Sequence, residues 1–308
     1  MIELFARSNA MREAVGLAER VSGTTSNILI TGESGVGKDA LAAFIHSKST
    51  RAQQPFVKID CAALPGELLE AELFGYERGA FTGATESKPG RLEGAQNGTV
   101  VLDEIAHLSI DAQAKLLRVI EEREFERLGG RSTIKLNARV IALTNVDLDE
   151  AVARKSFRSD LYFRLNVIHI HVPPLRERGE DLSQLINHFV DHYSKKHGRM
   201  INSISSSALT IMRAYEFPGN ARELANIIER AVIVANGKRL EVENLPVSVK
   251  MSQKSNRSNR PLTLAQVEAR YVAETLVATG GNKSECARIL GISRKNLYEK
   301  IARYKLTD

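Results

Sequence analysis

Gly32-Glu-Ser-Gly-Val-Gly37-Lys38 follows the apolar run Ile28-Leu-Ile-Thr31 and precedes a segment of helical pattern, Asp39 to Lys48. In that context the stretch dictates a strand, a loop and a helix in order, because glycines let backbone amides wrap a phosphate group closely. Gly32, Glu33, Ser34, Gly35, Val36, Gly37, Lys38 and Asp39 are therefore the candidate phosphate-binding residues, with the Lys38 ammonium directed at the terminal phosphates. Asp39 stands where many such loops carry a Ser or Thr whose hydroxyl binds magnesium. Another residue must then hold the metal.

Four more short β-branched or apolar runs follow, Phe56-Val-Lys-Ile59, Thr99-Val-Val-Leu102, Arg139 to Thr144 and Val167 to Val172, separated by helical patterns such as Ile110 to Glu122. Strands alternating with helices predict an α/β domain with a parallel sheet over 1–172. From Pro173-Pro174 onward the strand signals stop and apolar residues recur at helical spacing, which predicts an α-helical lid over 173–246. Residues 247–261 are polar and basic and read as a flexible linker, ahead of an all-α domain over 262–308.

Val100-Val-Leu-Asp103-Glu104 ends an apolar strand on two carboxylates. Asp103 is the candidate ligand of Mg²⁺ and Glu104 the candidate base for an attacking water. Asn145, at the end of the run Arg139 to Thr144, has the placement to sense a γ-phosphate from a neighbouring strand tip. His188, His192 and His197 share one helical stretch, yet without a fourth ligand they read as a solvated helix face.

Charge separates the two ends of the chain. The formal net charge is +6, and residues 250–308 hold 12 Lys or Arg against 5 Asp or Glu. A basic tail on a near-neutral body suits a polyanion, most simply DNA. Gly281 to Ile301 has the punctuation of a helix-turn-helix: Ala287 is small where two helices cross, Gly291 turns, and Ser293 caps the second helix. Ile289, Leu290, Leu297 and Ile301 supply its apolar face, leaving Arg294, Lys295, Asn296, Tyr298 and Lys300 to reach bases and phosphates. Cys61 and Cys286 are far apart and form no metal or disulfide pattern, so both are expected as buried free thiols. No apolar run reaches the length of a membrane span and no secretory signal opens the chain, which places it in the cytoplasm, away from membranes.

Gly32 to Asp39, Glu72-Leu-Phe-Gly75, Gly79-Ala-Phe-Thr-Gly-Ala84, Leu102-Asp-Glu104, Phe157 to Leu165, Pro173 to Arg178 and Phe217-Pro-Gly-Asn-Ala-Arg222-Glu-Leu224 together resemble the bacterial enhancer-binding proteins. These are AAA+ ATPases that activate RNA polymerase carrying sigma-54. The resemblance implies that Gly79, Ala80, Phe81, Thr82, Gly83 and Ala84 form a mobile loop that touches sigma-54, with Phe81 at its tip. It implies ATP and Mg²⁺ as cofactors, and hydrolysis at the subunit interfaces of a hexameric ring. There Arg158 and Arg164 reach a neighbour's ATP, and Arg222 couples the lid to the nucleotide. Asp60 takes a position where that family often has an Asn restraining the catalytic Glu; here it would repel Glu104 unless one is protonated or both share the metal.

The tail resembles the Fis-type domain of the same family, which implies a resting dimer on palindromic enhancer DNA, joined through Val267, Tyr271, Leu276 and Val277. Most members carry a regulatory domain ahead of the ATPase. None is expected here, so that control would come from a separate regulatory protein, or the chain is a fragment. The reading competes with an ATP-responsive DNA-binding repressor of little turnover, which Asp39 and Asp60 leave open.

Overall fold

Five parallel strands form the central sheet of the computed structural model, which describes residues 4–256 and 263–304. They are β1 (Ile28–Thr31), β2 (Phe56–Asp60), β3 (Thr99–Asp103), β4 (Arg139–Thr144) and β5 (Ile168–His171), in the spatial order β2-β3-β4-β1-β5. The order is out of sequence, so every connection is a crossover and all strands end on the same edge. The sheet is covered on both faces, which is why its strands read as continuous apolar runs. Leu29, Val100, Leu102, Val140 and Ala142 face one core, with the helices Ile110–Glu122 and Ser159–Leu165. Ile28, Ile30, Val101, Ile141 and Leu143 face the other, with the helices Asn9–Ser22 and Lys38–Ser47.

Arg139 opens β4 fully buried, and its guanidinium donates to the carbonyls of Val21, Ser22 and Ser26. A cation against the orphan carbonyls of a helix C-terminus is well placed. Burial nevertheless pulls its pKa down to about 10.

The lid is built from the helices Gly179–Lys196, Ser206–Arg213 and Asn220–Val234, and belongs to the same compact unit, Met1–Pro246. Asp181, fully buried, accepts hydrogen bonds from the Arg7 and Ser8 amides and the Ser8 hydroxyl, and pairs with Arg178 at 3.0 Å. Arg178 in turn donates to the carbonyls of Val36 and Phe5. One ion pair therefore ties the N-terminal segment, the phosphate loop and the lid together.

The second unit, Val247–Asp308, contains the helices Val247–Asn256, Leu264–Ala278, Lys283–Ile289 and Arg294–Tyr304. The linker expected over 247–261 is thus helical as far as Asn256; polar composition does not prevent a helix when Lys, Gln and Met have good helical propensity. Residues 257–262 lie outside the described part, as do Lys305 and Leu306. Among the described residues no helix is long and apolar enough to cross a membrane.

Asp181→Ala leaves Arg178 buried and unpaired, and should cost about 3–5 kcal/mol in urea unfolding. Burial works to raise the Asp181 pKa, but hydrogen bonds from Ser8, Arg178 and Arg7 outweigh it and lower it. The carboxylate therefore stabilises the fold above its unfolded-state value, and that part of the stability should fall away as pH drops below it.

Candidate functional site

The phosphate loop runs from the end of β1 into the helix Lys38–Ser47 and turns at Gly35 and Gly37, both at positive φ. Gly35 has a second reason to be glycine, because a Cβ there would lie 2.4 Å from the Gly219 carbonyl oxygen of the lid. Lys38 is buried and folds back, its Nζ donating to the carbonyls of Gly32 at 2.8 Å and Glu33 at 3.2 Å. Burial lowers its pKa, against the raising effect of Glu104, Asp103 and Asp39.

The lid grips this loop side chain by side chain. Arg176 forms a double hydrogen bond with Glu33, at 2.7 and 3.0 Å, and Asn220 Nδ2 donates to Glu33 Oε2 and to the Ser34 carbonyl, each at 3.0 Å. Asn220 is wholly buried, sits at φ +54°, and accepts the Leu175 amide at 2.7 Å. Arg222 Nη1 donates to Ser34 Oγ at 2.9 Å. With Ser34, Gly35, Gly37, Lys38, Asp39, Asp103 and Glu104 it lines a cleft of about 130 Å³.

Asp103 is the last residue of β3, and the chain turns sharply after it because Glu104 adopts left-handed φ +52°. That turn leaves Glu104 Oε2 buried and without a hydrogen-bond partner. An orphaned carboxylate oxygen in a cleft beside a phosphate loop is the geometry of a proton acceptor awaiting its donor. Asp103 pairs with Lys58 of β2 at 2.8 Å, and Lys58 also meets Asp39 at 2.5 Å. Oxygen donors of this kind, next to a phosphate site, fit Mg²⁺. Asp60 ends β2. Its carboxylate turns back to accept the Ala62 amide at 2.9 Å, and among the described residues no hydrogen bond joins it to Glu104. The Asx turn at the strand end satisfies Asp60 locally. Beside it the Cys61 thiol is buried, and burial with the charges of Asp60, Asp103 and Glu104 pushes its pKa up to about 12.

Asn145 follows the last residue of β4, as expected. It leaves the tip of β4 exposed and lines a separate cavity of about 350 Å³ with Thr31, Gly32, Glu33, His169 and His171. Thr144 at the strand end accepts the Val146 amide in a local turn.

The hexapeptide Gly79 to Ala84 is held by its own turns: the Gly79 amide donates to the Ala84 carbonyl and the Ala84 amide to the Phe81 carbonyl. Gly79 and Gly83 have φ of +84° and +107° with open space around them, so the turns and not crowding require glycine. Phe81 is 42% exposed and touches one ring, Tyr76, edge-on at 5.0 Å. Thr82 is exposed, Ala80 half-buried and Ala84 buried. Arg158 is engaged within its own chain, bound twice to Asp160 at 2.7 and 3.0 Å, while Arg164 is exposed.

In the second unit Leu297, Val272, Cys286 and Ala287 form a small core, with Leu276, Leu290, Ile292 and Ile301 against it. Ser293 caps its helix by accepting the Asn296 amide at 3.2 Å, and Arg294, Lys295, Asn296 and Tyr298 are exposed. Two expectations change. Lys300, three residues after buried Leu297, borders the packed face and binds Glu268 at 2.5 Å instead of pointing outward. Ile289 is exposed, whereas Leu276 packs inward, so the free apolar face of the helix Leu264–Ala278 consists of Leu264, Val267, Tyr271 and Val277. Among the histidines, His188 rests on the Phe5 ring and His197 bonds Glu229.

Sequence reasoning passed over Lys58, and took Arg176 and Asn220 only as parts of longer matches. A lysine inside the run Phe56-Val-Lys-Ile59, next to a phosphate loop, was the available signal for the first.

A phosphate loop after β1, carboxylates at the end of β3 and an arginine from a helical lid define a P-loop ATPase of the AAA+ class. The sigma-54 interaction domain family matches residues 4–171, the AAA+ ATPase lid domain residues 176–262, and the Fis family of bacterial regulatory proteins residues 263–304. The chain belongs to the sigma-54-dependent transcriptional regulators. It is 43% identical to the regulatory protein AtoC of Escherichia coli, covering 98% of this chain and 67% of that protein. It is equally identical to the nitrogen fixation protein VnfA of Azotobacter vinelandii, covering 98% of this chain but only 59% of the relative. NtrX of Brucella abortus, solved with ADP and with ATP, superposes with a TM-score of 0.74 at 34% identity; the ADP complex covers 99% of this chain and 69% of that one.

Hydrogen bonds from Arg176 and Asn220 hold the Glu33 pKa down to about 2 from an ordinary 4.5. The lid contact should therefore stabilise the fold above pH 4.5 and lose that contribution as pH falls toward about 2. Carboxyl ¹³C titration checks it: a Glu33 midpoint near 4.5 would mean that the contact does not form in solution.

Proposed function

We propose that the chain is an ATP-hydrolysing transcription activator that binds enhancer DNA through its tail and remodels the closed complex of sigma-54 RNA polymerase. The observation that carries the reading is the meeting of Lys38, Asp103, Glu104 and lid Arg222 in one cleft, on a chain whose loop also exposes Phe81. Lys38 and the loop amides bind and orient the β- and γ-phosphates. Glu104 Oε2 takes the proton of an attacking water as it adds to the γ-phosphorus, the bond to the β–γ bridging oxygen breaks, and ADP and phosphate result. Mg²⁺, held by Asp103, would neutralise charge on the phosphates.

Arg158 and Arg164 complete the site from a neighbouring subunit of a ring, where they stabilise the charge of the transition state. Arg158 must release Asp160 to do so, and an exposed ion pair of this kind costs little to open. Arg222 reads the nucleotide from the lid. Loss of the γ-phosphate changes the contacts of both and shifts the loop bearing Phe81, which engages sigma-54. Arg294, Lys295, Asn296 and Tyr298 face DNA, and the exposed Val267, Tyr271 and Val277 pair two tails on a palindromic site.

Glu104→Gln should retain ATP binding and lower kcat by roughly 10²–10⁴-fold, measured as phosphate release. Phe81→Ala should keep ATPase activity and lose open-complex formation on a sigma-54 promoter. Wild-type specific activity should rise steeply with protein concentration, as interface catalysis requires; a flat, negligible rate would favour the repressor.

A further inference from the structure

Strand alternation puts Phe56, Lys58 and Asp60 on one face of β2, while Ile59 enters the opposite core. That face looks toward the helix Lys38–Ser47: the Phe56 ring lies 5.0 Å from the His46 ring, and Lys58 reaches the first turn of the helix. Its ammonium ends between two carboxylates from different elements, 2.5 Å from Asp39 Oδ1 and 2.8 Å from Asp103 Oδ2. Asp103 is the residue that would hold the divalent cation, and Asp39 replaces the hydroxyl that commonly shares that duty. A monovalent cation thus stands at the metal side of the cleft.

We propose that Lys58 is a built-in counter-ion for the Asp39 and Asp103 pair, holding the place a divalent cation takes when a nucleotide brings one, so that the metal enters only by displacing the ammonium. The inference rests on the ATPase reading for the identity of that cation. Two carboxylates that share one cation repel each other when it is removed, and a dication at the same point gains from both charges. Lysine suits the task because its charge is compact and its stem flexible, so that it can swing away into water. Lys58 is 39% exposed, which leaves that path open. The consequence is selective: without nucleotide the cleft turns away free divalent ions, and with it the metal arrives already carried by phosphate oxygens.

The test is Mn²⁺ binding to the full nucleotide-free chain, read by electron paramagnetic resonance. Lys58→Met should bind Mn²⁺ more tightly than wild type by about tenfold or more, because one compensating charge is gone. Lys58→Gln should follow it, and Lys58→Arg should behave as wild type. Adding Asp39→Asn to Lys58→Met should abolish the gain. A gain smaller than tenfold, or one that survives Asp39→Asn, would overturn the proposal, the second because it would reflect only the general field of the protein. No ATP is present and no turnover is read. Failure here therefore leaves the ATPase reading to the Glu104→Gln experiment, and an inactive ATPase would leave this result intact.

Discussion

The phosphate loop and the lid share a surface that neither could form alone, and its keystone is Asn220. An asparagine tolerates φ of +54° better than most residues, and here the strained backbone aims a fully buried amide at three partners, Glu33, Ser34 and the Leu175 amide. The Ala221 amide adds a bond to the Gly35 carbonyl, and Gly35 can approach so closely only because it has no side chain. Breaking this contact would leave a buried amide unsatisfied, which is costly enough that loop and lid must move as one body or part completely. Arg222 is already joined to Ser34 at the rim of the cleft.

The parallel sheet supplies the second requirement, convergence. Strands ending on a common edge deliver β1 to the phosphate loop, β3 to Asp103 and Glu104, and β2 to Lys58 and Asp60. Asp60 and Asp103 are in register on neighbouring strands, and the positive φ of Glu104 turns the next carboxylate out of line. Two neighbouring acids therefore differ in surroundings, one paired with a lysine and one with a buried oxygen that lacks a donor. Such a division is what separate metal-binding and proton-accepting tasks demand.

Sequence and structure agree where the signal is local. β1 and β4 have the bounds that their β-branched runs predict, and Ile110–Glu122 is a helix to the residue. The phosphate loop and the carboxylate pair were legible for the same reason, since glycines and strand ends announce their geometry within a few residues. Lys58, Arg176 and the pair of Arg178 with Asp181 were not, because each acquires meaning from a partner far away in the chain. Lys300 shows the same limit in reverse. Its spacing suits an outward face, yet Glu268 on a different helix captures it. The single-hydrogen-bond turns after Thr144 and Asp60 lie below what a sequence pattern resolves.

The loop bearing Phe81 is built on the opposite principle from the cleft. Its backbone hydrogen bonds stay within residues 77–85, and one ring supports its aromatic. Its stem, however, is firmly tied: Glu77 and Gly75 exchange backbone bonds with Leu128, and Arg127 binds both Glu77 and Glu93, one before the hexapeptide and one after it. A soft tip on a fixed stem transmits motion of the stem while adapting to whatever it meets. An exposed phenylalanine whose ring, among the described residues, meets only Tyr76 would give up little packing on leaving it.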